Sequence, residues 1–392
     1  MNTCKSRRSF FGQVALAGGA AVTGAQKAGA QVKRKTSSVE LLNVGAVAVG
    51  AGSHLNYSIW APTINPTEPE MWPIRNTRMR ITHCWDRNPE DAEAFAKKYQ
   101  CETVKNYYDM VGKVDGMIFG GFNEVKWWPQ LTKPYLEAGI PCHINRPFAY
   151  SMKDAKTIVE NSKKYNAPIL CTDEREYIRE AFAARAHVEQ LLKDGKTIFG
   201  GTSDNSAGNE YPQHGIHGLY YMLAVFGLDV EEVSYQADGW WREKTSVVDH
   251  PMQYGLLSLR YPGINFEGVP EQTKPFVVTQ QQLSGFGTGS CNLRIYYNGG
   301  WEDFDSNYRG GAERWTLIYH LFFPTVLAMQ RMFMTREMQW SHEYILKKTQ
   351  IFLAGFKSHL EHNGAMVKVD DLPDDWEAPC PKPDWIDESI FA

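Results

Sequence analysis

The sequence predicts an α/β protein in two parts: a doubly wound parallel sheet, then a second α/β domain built on a mainly antiparallel sheet. Three observations carry this expectation. Short apolar runs alternate with amphipathic stretches from residue 41 to about residue 174, the alternation of βαβ units. A Gly-x-Gly turn, Gly50-Ala51-Gly52, closes the first apolar run. From about residue 175 the texture changes to one long helix followed by β-like segments. A chain of 392 residues with 43% hydrophobic and 22% charged residues has the size and balance of two ordinary globular domains.

Residues 41–49 form a continuous apolar run, as in a parallel strand buried on both faces. A short helical segment and a proline-rich stretch, 62–73, separate it from the next strand, 79–85, which ends at Asp86. The pattern then predicts a helix over 89–99, a short strand over 101–105, a helix over 106–111 and a strand over 114–120. A helix over 127–138, a strand over 141–145, a helix over 152–165 and a strand over 168–172 complete the first domain, residues 41–174. The second domain, 175–372, opens on a helix over 176–194 that Gly195 ends. Strands follow over 199–204, 230–240, 253–261, 276–282 and 291–297, interrupted by a helix over 214–226. Helices over 315–333 and 341–362 close the domain, and the proline-rich tail 373–392 reads as an extended strap.

The amino terminus stands outside this fold. Ser6-Arg7-Arg8-Ser9-Phe10-Phe11 precedes a mild Ala/Gly/Val run and Ala28-Gly29-Ala30, which resembles a twin-arginine export signal over 1–30 with a polar linker over 31–40. An ordinary secretion signal or an uncleaved anchor is the alternative. The run is too short and glycine-rich for a stable membrane span, and no other segment approaches ~20 apolar residues. The expected location is therefore the periplasm or beyond. The formal net charge of −4 falls to −8 on removal of Lys5, Arg7, Arg8 and Lys27, so nothing points to nucleic acid. Of seven cysteines, six (84, 101, 142, 171, 291 and 380) would stay in the exported chain. Cys142 and Cys171 fall in neighbouring strands and could pair, but six cysteines allow 15 connectivities. Mainly they read as small buried hydrophobes.

Chemistry concentrates at three places. The strand over 141–145 delivers Asn145-Arg146-Pro147 to the carboxyl edge of the sheet, where open α/β sheets bind ligands. Arg146 there could orient a hydroxyl, a carbonyl or a nicotinamide amide; a solvated strand-end arginine is the plain alternative. Gly50, Gly52, Ser53 and His54 form a turn that lets backbone approach a pyrophosphate, although Leu55 stands where a third glycine would complete the fingerprint. Asp86 at the second strand's end suits a ribose hydroxyl, Arg87 beside it suits a 2′-phosphate, and Asn123 lies in the loop after the strand over 114–120. Asp86 would repel that phosphate, so NAD is favoured, with NADP possible. The third place is the helix carrying Gln213, His217 and Tyr221 on one face, where an imidazole flanked by an amide and a phenol could exchange a proton with a substrate hydroxyl. A half-buried structural histidine is the alternative, and His214 with His217, joined by Asp204 or Glu210, could instead ligate a metal. Arg175 and Arg179 could bind a carboxylate or phosphate, but read more readily as a solvated helix start. Trp240-Trp241 could stack on a sugar ring, or divide between core and interface.

Taken in order, the Gly-x-Gly turn, Asp86-Arg-Asn-Pro-Glu90, Tyr135-Leu-Glu-Ala-Gly139 and Ile144-Asn-Arg-Pro-Phe-Ala149 resemble the Gfo/Idh/MocA oxidoreductase family, that of glucose–fructose oxidoreductase and inositol 2-dehydrogenase. The resemblance runs from about Leu41 to Leu372. It implies a Rossmann domain followed by an α/β domain on a large open antiparallel sheet often used for dimerisation, hence a homo-oligomer. It also implies a nicotinamide cofactor and a sugar, polyol or glycoside substrate. The family's Glu-Lys-Pro aligns with Asn145-Arg146-Pro147, and its catalytic Asp-x-x-x-His with Gln213 and His217. Arg146 keeps the lysine's charge with a different donor geometry, and Gln213 cannot titrate. A periplasm offers no free NAD pool, so the implied cofactor would be retained through turnover. The rival classes are a metal-dependent lyase or hydrolase on oxidised sugars without nucleotide, and a non-catalytic carbohydrate-binding protein of the same fold.

Overall fold

A computed structural model describes residues 41–50, 53–56, 60–67, 77–205, 215–244, 249–282, 291–305 and 321–379. The export-signal motif and linker lie outside the described residues, as do Gly52, Glu210, Gln213, His214 and the tail from residue 380. Among the described residues, no helix is long and apolar enough to cross a membrane.

The first sheet consists of β1 (Leu42–Val47), β2 (Met79–Trp85), β3 (Glu102–Thr103), β4 (Gly116–Phe119), β5 (Cys142–Ile144) and β6 (Ile169–Leu170). Its order is β3-β2-β1-β4-β5-β6 and every pairing is parallel. The chain leaves β1 toward β2 on one side and resumes at β4 on the other, so the topological switch point lies between β1 and β4. Helix α1 (Pro89–Tyr99) starts where the Asn88 side chain accepts from the Glu90 N–H, with Glu90 and Asp91 in its first turn and Lys97 and Lys98 in its last. Helices α2 (Trp128–Glu137) and α3 (Met152–Lys164) contribute to the apolar layer that takes Met117 and Phe119 of β4, while Phe95 and Tyr99 of α1 share the other layer with Ile118.

The second sheet is β12-β11-β7-β10-β9-β8-β13, made of β7 (Ile198–Asn205), β8 (Glu232–Lys244), β9 (Asp249–Tyr261), β10 (Phe276–Gln282), β11 (Cys291–Tyr297), β12 (Gly300–Asp305) and β13 (Val367–Lys368). Among the described residues, only β7 and β10 pair parallel. Helices α4 (Arg179–Lys193), α5 (Ile216–Phe226) and α7 (His342–His362) pack against it. Every residue of α5 except Ala224 is buried, as an all-apolar helix at the centre of a molecule requires. The sheet still exposes Phe199, Leu256, Val277 and Trp301.

Four expectations are corrected. Residues 106–111 form turns rather than a helix, because the Asn106 backbone and side chain both bond to the Asp109 carboxylate and Gly112 bends the chain at φ 81°. The helix expected from residue 176 starts at Arg179, after a separate 3-10 turn, Glu174–Glu176. Strands β12 and β13 went unpredicted; every side chain of β12 is at least partly exposed, and its charges read as loop. Helix α6 (Phe323–Thr335) falls in the sequence assigned to the second domain, yet it packs on the first sheet. A Cβ at Gly116 would stand 2.6 Å from the Phe333 ring, so the glycine admits that helix. Cys142 and Cys171 are both free thiols. The strap's described part follows α3: Lys153 N–H donates to the Asp374 carbonyl at 2.9 Å and Ala378 N–H to the Tyr150 carbonyl at 2.8 Å.

Candidate active site

Five strand ends and one helix start converge at the carboxyl edge of the first sheet. Beyond β1, Gly50 N–H donates to Asp86 Oδ2 at 2.8 Å, and Asn88 N–H to Asp86 Oδ1 at 3.0 Å. Burial raises the Asp86 carboxyl above its ordinary range, against the pull of these two bonds. Ser53 N–H donates back to the Gly50 carbonyl and His54 N–H to the Gly120 carbonyl, so this turn is pinned to the end of β4. Arg87 reaches Glu124 at 3.6 Å in the loop after β4. Burial pushes the Glu124 carboxyl up to about 7, with Arg87 opposing it. Asn123 is half-buried beside this pair. A Cβ on Gly121 would overlap the Glu124 carboxylate. Gly121→Ala is therefore expected to displace Glu124 from Arg87 and lower stability by about 1–3 kcal/mol, read by urea unfolding.

Asn145 ends β5 with both halves of its amide engaged. Nδ2 donates to the Gly120 and Gly121 carbonyls at 3.0 and 3.2 Å, while Oδ1 accepts from Arg146 N–H at 2.9 Å and pairs with His54 Nδ1 at 3.0 Å. It fixes where Arg146 leaves the sheet. The Arg146 side chain is 1% exposed. Its Nε donates to Asp173 Oδ2 at 3.2 Å, and its Nη2 lies 2.8 Å from His217 Nε2 and 3.1 Å from His54 Nε2. Its Nη1 is buried with no hydrogen-bond partner among the described residues.

His217 enters from the second turn-forming residue of α5, and Tyr221, one turn on, is fully buried. Its Nδ1 meets Asp173 Oδ2 in a short contact and lies 3.0 Å from Arg175 Nη1. Burial and Arg175 push the imidazole well below its ordinary range, against the pull of Asp173. Burial disfavours ionised Asp173, but the His217 contact and the Arg175 and Arg146 guanidinium groups outweigh it and hold that carboxyl low. Burial and neighbouring Asp173 push the Glu174 carboxyl up to about 7.

The residues that sequence reasoning missed are Asp173, Glu174 and Glu176, and Arg175 was expected at a solvated helix start. All four are buried. A capping box closes the turn: Asp173 accepts from the backbone after it while Glu176 Oε2 accepts from Asp173 N–H at 2.8 Å. Glu176 is held in turn by Lys348 of α7, whose Nζ lies 3.0 and 2.8 Å from its two oxygens and 3.1 Å from the Cys171 carbonyl. The Asp-x-x-Glu spacing was the available signal.

Asp173, Glu174 and His217 could between them offer three ligands to a metal ion. Arg175 Nη1 already stands among them, at 3.0 Å from His217 Nδ1, 3.6 Å from Glu174 Oε2 and 3.8 Å from Asp173 Oδ1. That guanidinium supplies the positive charge the acids need, and a dication beside it would be repelled. The alternative metal pair needs His214, outside the described residues.

The model of the oxidoreductase family with the NAD-binding Rossmann fold, GFO_IDH_MocA, matches residues 45–172. This segment is similar to the NAD-binding Rossmann domain of that family. Solved structures share the fold across both sheets. A probable dehydrogenase from Thermotoga maritima superposes with a TM-score of 0.63 at 13% identity, covering 85% of this chain and 100% of that one. The myo-inositol dehydrogenase of Lactobacillus casei in complex with NAD(H) and myo-inositol gives 0.62 at 13% identity over 84% and 96%. An oxidoreductase of Agrobacterium radiobacter in complex with NAD+, L-tartaric acid and magnesium gives 0.59 at 16% over 84% and 98%. No curated protein sequence matches the chain. Arg146, just beyond the end of β5, meets His217 across the site at 2.8 Å. The aligned Gln213 lies outside the described residues.

Proposed function

We propose that the chain is an exported NAD-linked oxidoreductase acting on a secondary hydroxyl of a sugar, polyol or glycoside, with its cofactor retained through turnover. The single observation that carries this reading is Arg146 Nη1, a buried cationic donor without an acceptor among the described residues, beside a neutral histidine. Buried donors are almost always satisfied, so this one calls for an oxygen from a ligand. A substrate hydroxyl or its carbonyl product would supply it, and a guanidinium there stabilises the developing alkoxide.

The nucleotide's place also fits. Each Asp86 oxygen accepts one backbone N–H and keeps a lone pair for a ribose hydroxyl. Gly50 lacks a Cβ that would crowd Asp91 at 3.1 Å and Asp86 at 3.4 Å, which lets the Asp86 carboxylate take the Gly50 N–H and hold its place for the ribose. Gly50, Ser53, His54, Asp86, Arg87 and Asn123 would line the adenosine and pyrophosphate side. Asn145 would act by holding His54 and Arg146 in place. When bound, NAD supplies the hydride acceptor. Arg87 turned toward Glu124 supports NAD over NADP. The twin-arginine motif supports export, and the apolar residues on the outer sheet face support a homo-oligomer.

The test is to denature freshly purified protein and identify released nucleotides and metals by mass spectrometry, then titrate the emptied protein with NAD and NADP. Stoichiometric NAD(H), or uptake of NAD in preference to NADP, is the expected result. Asp86→Ala should weaken NAD by about 10–100-fold through loss of charged hydrogen bonds. No nucleotide and no uptake would sink the reading. A stoichiometric metal would then point to the lyase class, and neither ligand to the binding protein.

A further inference from the structure

We infer that Asp173 is the positioning carboxylate of His217, taking over from the opposite wall the place that the family pattern gives to an aspartate four residues before the histidine. In this chain that position is Gln213, which has no carboxylate to offer. Asp173 instead reaches the ring from the first domain, at the end of β6, and it is 0% exposed. The inference rests on the oxidoreductase reading for its consequence, though not for its geometry.

The proton positions follow from the donors around the ring together with the Asp173 contact. Arg146 Nη2, 2.8 Å from His217 Nε2, can only donate, because a guanidinium has no acceptor. His217 Nε2 must therefore be bare. A neutral imidazole then carries its hydrogen on Nδ1, and the short contact with Asp173 Oδ2 needs a hydrogen between two basic atoms. Both requirements select the same tautomer. Arg175 Nη1, 3.0 Å from the same nitrogen, is a competing donor to the ring, and the closer Asp173 carboxylate, gripped by Arg146 Nε, decides for Nδ1–H.

Asp173 is itself over-determined. Its Oδ1 accepts from Arg175 N–H at 2.9 Å, its backbone N–H is fixed by Glu176, and Arg146 Nε grips the oxygen that faces His217. The carboxylate thus aims Nδ1–H inward and leaves Nε2 toward Arg146 and the substrate. In oxidation, the substrate hydroxyl displaces the Arg146 Nη2 contact and gives its proton to Nε2. A bound nicotinamide would supply the acceptor for the carbinol hydrogen and its electron pair as the C=O bond forms. The imidazolium so made keeps Nδ1–H on Asp173.

The test is nitrogen NMR of the full-length protein labelled with ring-15N histidine, with His217→Gln assigning the signal. The expected wild-type spectrum at neutral pH has a protonated Nδ1, a bare Nε2 and a low-field Nδ1–H proton. Asp173→Asn should move that proton upfield, and Asp173→Glu should recover part of the shift. A wild-type ring protonated on Nε2, or on both nitrogens, would overturn the inference whether or not any variant folds. So would a folded Asp173→Asn protein with an unchanged His217 signal. NAD titration of the same samples is read separately, so failure of the oxidoreductase reading stays distinguishable from failure of this one.

Discussion

Arg146→Ala is expected to lower the unfolding free energy by about 3–5 kcal/mol, the range for removing one partner of a buried ion pair. The side chain is 1% exposed and its fork joins Asp173, His217 and His54, with the guanidinium 5.0 Å from the Phe122 ring centre. Truncation leaves the Asp173 carboxylate, at 0% exposure, with Arg175 as its remaining nearby cation, at 3.8 Å. The His54 and His217 rings lose a donor at the same time. Arg146→Lys separates charge from shape. A lysine at the family's position keeps the charge but offers one ammonium, which cannot grip Asp173 and both rings as the planar fork does. It should therefore recover most of the stability while changing the His217 ring signal. Denaturant unfolding of both variants checks this; an alanine variant as stable as wild type would mean the cluster is not held together through Arg146.

The contrast between legible and illegible parts has a physical pattern. β2, α1, β10 and β11 match their expected bounds, or nearly so, because each has strong periodicity and a clear stop: Asp86, the left-handed Gln100 or a flanking turn. Arg146 and His217, 71 positions apart, were singled out separately and meet at 2.8 Å. The run Asp173-Glu174-Arg175-Glu176 went the other way. Four consecutive charged residues after a two-residue strand look solvated, since nothing local says that a guanidinium and an ammonium will arrive from elsewhere in the chain. The ammonium is Lys348, on α7, whose neighbours Ile345, Thr349 and Phe352 are buried on the same side. A lone lysine among buried positions at helical spacing was a trace of the partner, legible only once a buried acid was suspected.

Lys348→Met is the second large effect, again about 3–5 kcal/mol, because it strands the Glu176 carboxylate where water cannot reach it. Methionine nearly fills the lysine's volume, so packing against the Tyr220 ring, now 4.1 Å from Nζ, should survive and the loss can be assigned to charge. For a unit of this size the midpoint should fall by roughly 5–10 °C. Lys348→Met combined with Glu176→Gln should recover much of that loss, since a neutral amide can still accept from Asp173 N–H and Thr172 Oγ1. Recovery of stability need not bring recovery of the site. Glu176 sets the turn that aims Asp173 at His217, so a double variant with restored stability and an altered His217 ring signal would show α7 positioning the proton acceptor from behind. Equal loss in the single and double variants would mean instead that the pair only fills space.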